Sequence, residues 1–342
     1  MSAERREPVE VVAPRPREPL APRAAPPTFS VVVPAYESAA TIAAALDSAL
    51  AQTYPAAEIV VCDDGSADGT AAILARYGDA VTVIRQENRG VAAARNAAIA
   101  AASSEFVVNL DADDVYLPNR LEVMAAALVE RPDLDVLTTD ATFELDGRPV
   151  RRNFGPDFRY AVEDRRLAIL DRCFVGVAWA TRRETMLAYG GYDESIRIAE
   201  DWELAIRLVL GGARFGLVPE PLVRYRLRRG SLSNQGLGLL EGQVRVLEKT
   251  LAHETLSPEE HDFAAAALER FRGELGRTRL RDSLQRRSPT LRRDALAVLE
   301  DAELPWPSRA KAALTYAFPG LARRLLARRG SETSGGLRLP AE

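Results

Sequence analysis

The run FSVVVPAYESAATIAAALDSALAQTYPAAEIVVCDDGSADGT, Phe29–Thr70, decides the fold. It opens on a β-rich segment, FSVVVPAY, whose valines give way at a proline. An alanine-rich stretch follows in which Ile42, Ala45, Leu46, Ala49 and Leu50 share one helical face, with Ser38 placed as its N-cap. EIVVCDD is a second strand that runs into a turn-rich loop. Strand, helix and strand in so short a span predict parallel strands joined by a helical crossover.

The alternation continues downstream. AAILARYG reads as a helix closed by glycine, VTVIR as a strand, VAAARNAAIAAA as a helix and EFVVNL as a fourth strand. PNRLEVMAAALVERP is a further helix with Pro118 in its first turn. The expected class is α/β, a mostly parallel central sheet with helices on both faces. Such sheets bind ligands in the crevice beyond the carboxyl ends of their strands. Tyr36, Asp63, Asp64 and Asp111 all fall just past strand ends, and that repeated placement marks the expected site.

Length and composition set the outer bounds. The chain has 342 residues, 47 % of them hydrophobic, enough for one large domain with an extension. Its net charge of -4 argues against a general nucleic-acid binder. Cys62 and Cys173 read as free core thiols in a reducing compartment, with a single disulfide as the alternative, and His253 and His261 lack the short spacing that zinc requires. No apolar run has the length of a membrane span. The proline- and charge-rich start has no signal-peptide pattern, which points to a cytoplasmic protein. The expected organisation is a disordered tail over 1–27, a catalytic domain over 28–234 that divides near 133, a helical extension over 235–330 and a second tail over 331–342. A hairpin is expected at Asp146-Gly147.

Four clusters carry chemistry. Asp111 and Asp113, in VVNLDADD, offer the oxygen ligands that magnesium or manganese takes together with phosphate and water; Asp114 suits a cap for the following helix. Asp63 and Asp64 can accept hydrogen bonds from a base N–H or from ribose, or simply form a turn. Arg89 and Arg95, around the start of a helix, suit a diphosphate or a base carbonyl, or are simply exposed or paired. Glu200 and Asp201 open a helix whose Trp202, Ala205, Ile206 and Val209 keep helical spacing; they are a capping pair or include a general base.

Taken together and in this order, SVVVPAYESAAT, CDDGSADGT, NRGVAAARNAAIA, VVNLDADD and GGYDESIRIAEDWELAIRL resemble the family 2 glycosyltransferases, over about Phe29 to Ser233. The resemblance implies a glycosyltransferase-A fold, a nucleotide-diphosphate-sugar donor, a hydroxyl acceptor, a divalent cofactor (Mn2+ or Mg2+) and transfer with inversion. It puts Pro34, Ala35, Tyr36 and Glu37 beneath the nucleotide base, where the family usually has asparagine at the Glu37 position. Asp63, Asp64, Arg89, Arg95, Asp111 and Ala112 join the nucleotide-sugar site, Asp113 binds metal with Asp111 beside it, and Asp201 is the base with Glu200 in support. Gly176, Trp179 and Arg228 are acceptor-side candidates; Arg228 stands where a histidine is often found. The Q-x-x-R-W motif of processive members is absent, so transfer of one sugar is expected.

Two other functions stay open at this point: a non-catalytic module that binds nucleotide sugars, and a sugar nucleotidyltransferase, although PAYESAAT lacks the glycine-rich basic loop the latter expects. The basic C-terminal segment SRAKAALTYAFPGLARRLLARRG has two readings. It lies peripherally on an anionic inner membrane face, or it packs on the catalytic domain or at the subunit interface of a homo-oligomer.

Overall fold

The structure is a computed structural model that describes residues 25–154, 164–175, 179–227, 236–252, 256–302 and 304–322. The first half follows the alternation read from the sequence: β1 (Phe29–Ala35), α1 (Ile42–Leu50), β2 (Glu58–Asp63), α2 (Thr70–Leu74), a 3-10 turn (Ala75–Ala80), β3 (Thr82–Arg85), α3 (Val91–Ala101), β4 (Phe106–Asn109), β5 (Val115–Tyr116) and α4 (Arg120–Glu130). The second half supplies β6 (Val136–Leu145), β7 (Arg148–Arg152), α5 (Arg165–Asp171), β8 (Trp179–Arg182), α6 (Arg183–Ala188), α7 (Glu200–Leu210) and β9 (Phe215–Leu227). Four helices follow: α8 (Gly236–Leu251), α9 (Pro258–Gln285), α10 (Leu291–Glu300) and α11 (Trp306–Ala317).

The strands form one mixed sheet in the order β3-β2-β1-β4-β8-β6-β9-β5, with β7 on β6. β3, β2, β1 and β4 run parallel, as their helical crossovers require. β8 is antiparallel to both neighbours, with Thr181 opposite Val107 on one side and Val136 on the other. The β6–β7 hairpin turns at Asp146 and Gly147, φ 50° and 76°, the two positive angles a tight two-residue turn needs.

Alternation along the buried strands feeds two cores. Val31, Val33, Ile59, Val61 and Val108 pack under α1, α2 and α4. Val32, Val60, Cys62 and Val107 pack on the opposite face under α3, α5 and α7, and this core continues into α8 and α9. Burial, with the Asp64 and Asp63 charges, pushes the Cys62 thiol up to about 11, so it is an inert core thiol; Cys173 is also free.

Several local expectations change. Ser38 does not cap α1 with its side chain: its carbonyl accepts Thr41 and Ile42 N–H, and its hydroxyl donates to the Tyr36 carbonyl. Leu50 is exposed. Pro118 precedes α4, whose N-cap is Asn119. α7 is buried nearly all round, because α8 and α9 cover the side that the sheet does not.

The C-terminal helices are locked to the rest. α9 starts with a reciprocal cap between Ser257 and Glu260. The same Glu260 carboxylate accepts from Arg166 Nε at 2.5 Å. Phe271 of α9 packs on Trp202 of α7 with ring centroids 5.7 Å apart. Lys249 of α8 bridges Asp193 and Glu203. At Gly242 an added Cβ would lie 2.5 Å from the Ile198 carbonyl oxygen, so glycine permits the close approach of α8. Among the described residues no helix is long and apolar enough to cross a membrane. Tyr316, Phe318 and Leu321 near the end of α11 are exposed.

Candidate active site

Parallel register brings the strand ends level: Ala35 lies opposite Asp63, and Val32 opposite Asn109. A cleft of about 540 Å³ opens beyond them. Pro34, Ala35, Tyr36, Glu37, Asp64, Arg95, Asp111, Ala112, Asp113, Trp179, Glu200 and Asp201 all line it. Two expected residues do not. Asp63 is 1 % exposed and turned into its own loop, where Oδ1 accepts the Ser66 N–H and Oδ2 lies 3.6 Å from Arg85 Nε. Arg89 reaches away to Glu194 at 2.5 Å. Gly176 and Arg228 lie outside the described residues.

The neighbouring acid, Asp64, has a defined task. Its Oδ1 accepts from Arg89 N at 2.9 Å and Gln86 Nε2 at 2.8 Å, and its Oδ2 from Gly90 N at 2.8 Å. One carboxylate thus ties the end of β2 to the first turn of α3, at the helix end that favours negative charge. Glu37 sits at φ 48°, a left-handed conformation in which asparagine is several-fold enriched. Its Oε1 accepts the Ala67 N–H and its own N–H donates to Ser66, so it braces the loop after β2.

Asp111 to Asp114 form a turn closed by the Asp114 N–H on the Asp111 carbonyl at 2.9 Å. The turn separates the acids. Asp111 and Asp113 line the cleft, whereas Asp114 is buried and accepts the Arg226 N–H of β9 instead of capping α4. Burial, with the charges of Asp111 and Asp113, holds the Asp114 carboxyl well above its ordinary value. Part of the compensating charge is Arg95. Its Nη2 meets Asp111 at 2.7 Å and its Nη1 meets Glu200 at 2.6 Å, so both ends of the fork are taken by carboxylates. Only Nε is buried without a partner. Arg95 therefore joins the β4 turn to α7 rather than presenting a free fork to a phosphate.

α7 delivers the acidic pair from an abrupt start. Its N-cap, Ala199, is left-handed at φ 67° without being glycine, a strain that has to be held by surrounding structure. Glu200 is spoken for by Arg95. Asp201 accepts the Trp202 N–H at 2.8 Å and has no ion pair among the described residues. Enclosure by protein, then the Glu200 charge, push the Asp201 carboxyl up to about 6, although Arg95 opposes the rise. The two acids are adjacent in sequence and differently partnered: Glu200 is paired with Arg95, and Asp201 is raised toward neutral pH.

The cleft also takes residues that the sequence reading did not single out, among them Asn88, Asn109, Tyr192 and Arg197, which lie within the quoted motifs, and Tyr225 and Leu239, which lie outside them. Leu239 comes from α8, so the C-terminal helices form part of the wall. Trp179 is 2 % exposed, and its indole N–H reaches the Tyr192 hydroxyl at 3.1 Å. It is both part of the core and part of the cleft lining.

Among the described residues no group of three or more His, Cys, Asp or Glu side chains could hold a metal. Asp111 and Asp113 are two oxygen donors on a half-buried turn that lines the cleft. Magnesium-type cations bound with a substrate diphosphate take one or two protein carboxylates and fill the rest of their shell with phosphate and water. The donor set fits a hard cation that arrives with a diphosphate.

An α/β sheet with a carboxylate-lined cleft at its parallel strand ends is the frame of the glycosyltransferase-A enzymes. Residues 30–189 match the model of Glycosyl transferase family 2, which places this segment, just under half of the chain, in that family. A curated relative, the succinoglycan biosynthesis protein ExoO of Rhizobium meliloti, is 34 % identical over 229 residues, which span 60 % of this chain and 63 % of that one. Among solved structures, S. aureus TarS 1–349 superposes with a TM-score of 0.59 at 22 % identity, covering 89 % of this chain and 92 % of that one. The mannosyltransferase PcManGT from Pyrobaculum calidifontis, in complex with GDP-Man and Mn2+, gives a TM-score of 0.58 at 22 % identity, with 92 % of each chain covered. At these identities the two structures establish the fold, glycosyltransferase-A, including its C-terminal helices.

Proposed function

We propose that the protein transfers one sugar from a nucleotide-diphosphate sugar to an acceptor hydroxyl by a single displacement with inversion. The observation that carries this reading is the separation of Glu200 and Asp201: Glu200 is fixed on Arg95, and Asp201, raised to about 6, lines the cleft without an ion pair among the described residues. A base poised near neutral pH takes the proton of an attacking hydroxyl efficiently. Asp201 accepts that proton at one of its carboxylate oxygens as the hydroxyl attacks. Glu200 and Arg95 hold the start of α7 against the β4 turn, so the base keeps its place relative to Asp111.

Asp113, with Asp111 beside it, is the pair that would hold a divalent cation, Mn2+ or Mg2+. When bound, such a cation neutralises charge that builds on a departing diphosphate. Tyr36, at the mouth of the cleft, supplies an aromatic face for a base, and Pro34, Ala35, Glu37 and Asp64 shape the loop beneath it. A uridine donor is favoured because a TarS structure carries UDP-GlcNAc; the GDP-Man complex of PcManGT supports the metal. The acceptor belongs to glycan, lipid-linked or secondary-metabolite chemistry, and ExoO's role in succinoglycan biosynthesis favours a glycan. Residues 28–133 form the donor half and 134–234 the acceptor half of this reading. The enzyme releases its product after one transfer and works on the cytoplasmic side. The exposed aromatic end of α11 is where it would touch an inner membrane face.

The test is thermal shift and nucleotide release across uridine, guanosine and thymidine diphosphate sugars, with and without manganese. One donor class stabilises the protein only with metal, and Asp113→Ala removes the shift. Stabilisation that needs no metal removes the cofactor from the mechanism. Binding without release or transfer to any acceptor favours the rival reading, a non-catalytic nucleotide-sugar module.

A further inference from the structure

The cleft is acidic, and its two arginines stand in unlike positions toward that charge. Glu37, Asp64, Asp111, Asp113, Glu200 and Asp201 line it, against Arg95 and Arg197. Arg95 is buried, and both ends of its fork are taken, by Asp111 and Glu200. Arg197 is exposed, and its side chain makes no ion pair or hydrogen bond among the described residues. Of the described residues that line the cleft, it is the one cation whose fork is free. For an arginine beside six carboxylates, pairing with one of them is the ordinary outcome; Arg197 pairs with none.

The freedom is confined to the side chain, because the backbone is fastened on both sides of it. Upstream, the Ser195 N–H donates to Asp193 Oδ1 at 2.8 Å and the Ile196 N–H to the Asp193 carbonyl at 3.1 Å, and Ile196 is buried. Asp193 is itself held by Lys249 of α8 at 2.5 Å. Downstream, α8 backs the Ile198 carbonyl at Gly242, and Ala199 is held left-handed at the start of α7. A guanidinium on a fixed backbone meets a ligand without the cost of first ordering its loop.

Charge and shape say what such a group takes. The planar fork offers parallel N–H donors that match two oxygens of a phosphate or a carboxylate. On the nucleotide-sugar reading above, the donor carries a diphosphate into a cleft lined by six carboxylates and two arginines, one of them already taken. A divalent cation would offset only part of that charge. We propose that Arg197 binds an oxyanion of a substrate in this cleft, a phosphate or a carboxylate. The diphosphate of the donor is one source of that group. An acidic acceptor is the other, since Arg197 stands four residues before Asp201, the base assigned to the acceptor hydroxyl.

The proposal rests on the nucleotide-sugar reading, and the experiment separates the two. Calorimetry with uridine, guanosine and thymidine diphosphates and manganese first assigns the wild-type protein its nucleotide. Wild type, Arg197→Gln and Arg197→Lys are then compared in two arms. The donor arm measures affinity for that nucleoside diphosphate and for its parent nucleoside, at low and at high salt. The acceptor arm measures binding of glucose 6-phosphate, glucuronate and glucose to protein saturated with the nucleoside diphosphate. Arg197→Gln weakens binding of an oxyanion-bearing probe about tenfold or more, and the affinity that remains falls less steeply with salt. Arg197→Lys keeps the charge without the fork and loses less. Nucleoside and glucose binding do not change, nor does the melting temperature of the ligand-free variants, because Arg197 holds nothing in the fold. A loss in the donor arm assigns the oxyanion to the diphosphate; a loss confined to the acceptor arm assigns it to the acceptor. An Arg197→Gln protein that matches wild type in both arms overturns the proposal and leaves the enzyme reading standing. An equal loss for the parent nucleoside overturns it too, since the residue would then shape the pocket rather than bind an oxyanion. A wild-type protein that binds none of the three nucleotides removes the nucleotide-sugar reading and this proposal with it.

Discussion

Replacing Asp201 by asparagine should make the protein more stable and almost inactive, and the two effects have one cause. Asp201 rises from an ordinary 3.8 to about 6, because enclosure and the Glu200 charge disfavour its ionised form. Taken at full weight, a shift of that size is about 3 kcal/mol. The carboxyl keeps some solvent contact at the cleft wall, and screening there reduces it to about 1–2 kcal/mol. The sign follows from linkage. A carboxyl whose folded pKa is raised binds its proton more tightly in the folded state, so folding is favoured at low pH and that advantage is lost as pH rises through about 6. Asparagine is never charged and escapes the loss. The melting temperature of Asp201→Asn should exceed that of wild type by about 2–6 °C at pH 8, and the difference should shrink toward zero near pH 4. Transfer should fall by about 10²–10⁴-fold, the usual contribution of a general base, while the donor-induced thermal shift persists. A stability difference that does not change with pH, or a variant less stable at pH 8, refutes the electrostatic argument. Transfer at the wild-type rate refutes the assignment of the base.

Further outcomes follow from the same geometry. Arg95→Met leaves Asp111 and Glu200 without their shared cation and should cost about 3–5 kcal/mol in urea unfolding; because Arg95 lowers the Asp201 pKa, the acid limb of the pH–rate profile should also move to higher pH. Glu37→Asn suits the left-handed backbone at φ 48° and should stabilise the protein by about 0.5–1 kcal/mol, read by thermal melting. Gly242→Ala drives a methyl against the Ile198 carbonyl; it should cost about 1–3 kcal/mol and reduce transfer, because Ile198 lines the cleft two residues before Glu200.

The sheet and the position of the cleft were legible because both are written locally. Valine runs bounded by turn residues specify strands, and parallel strands must end where a ligand can reach them, so Asp64, Asp111 and Asp113 could be placed from sequence. The division of labour within acidic pairs was not legible. Asp63 and Asp64 are adjacent and chemically alike, and strand alternation alone turns one inward and the other to the cleft. Glu200 and Asp201 differ only because Arg95, from a helix 105 residues earlier in the chain, reaches one of them. The Asn109, Tyr192 and Trp179 contacts involve β4, β8 and the segment before α7, and none carries a spacing that announces the others. The antiparallel insertion of β8 was hidden for the same reason, since a four-residue strand, WATR, has no pattern that fixes its direction.

The seating of α8 and α9 against α7 bears on how such proteins can be recombined. Exchanging everything after residue 235 with a relative looks like a clean modular swap on the linear sequence. It would in fact replace Leu239 in the cleft wall, the Gly242 contact behind Ile198, the Lys249 bridge to Glu203 and the Phe271 packing on Trp202. A chimera built at that joint would inherit its donor loop from one parent and the backing of its acidic helix from the other. Working hybrids should therefore carry α7 and the helices behind it as one cassette.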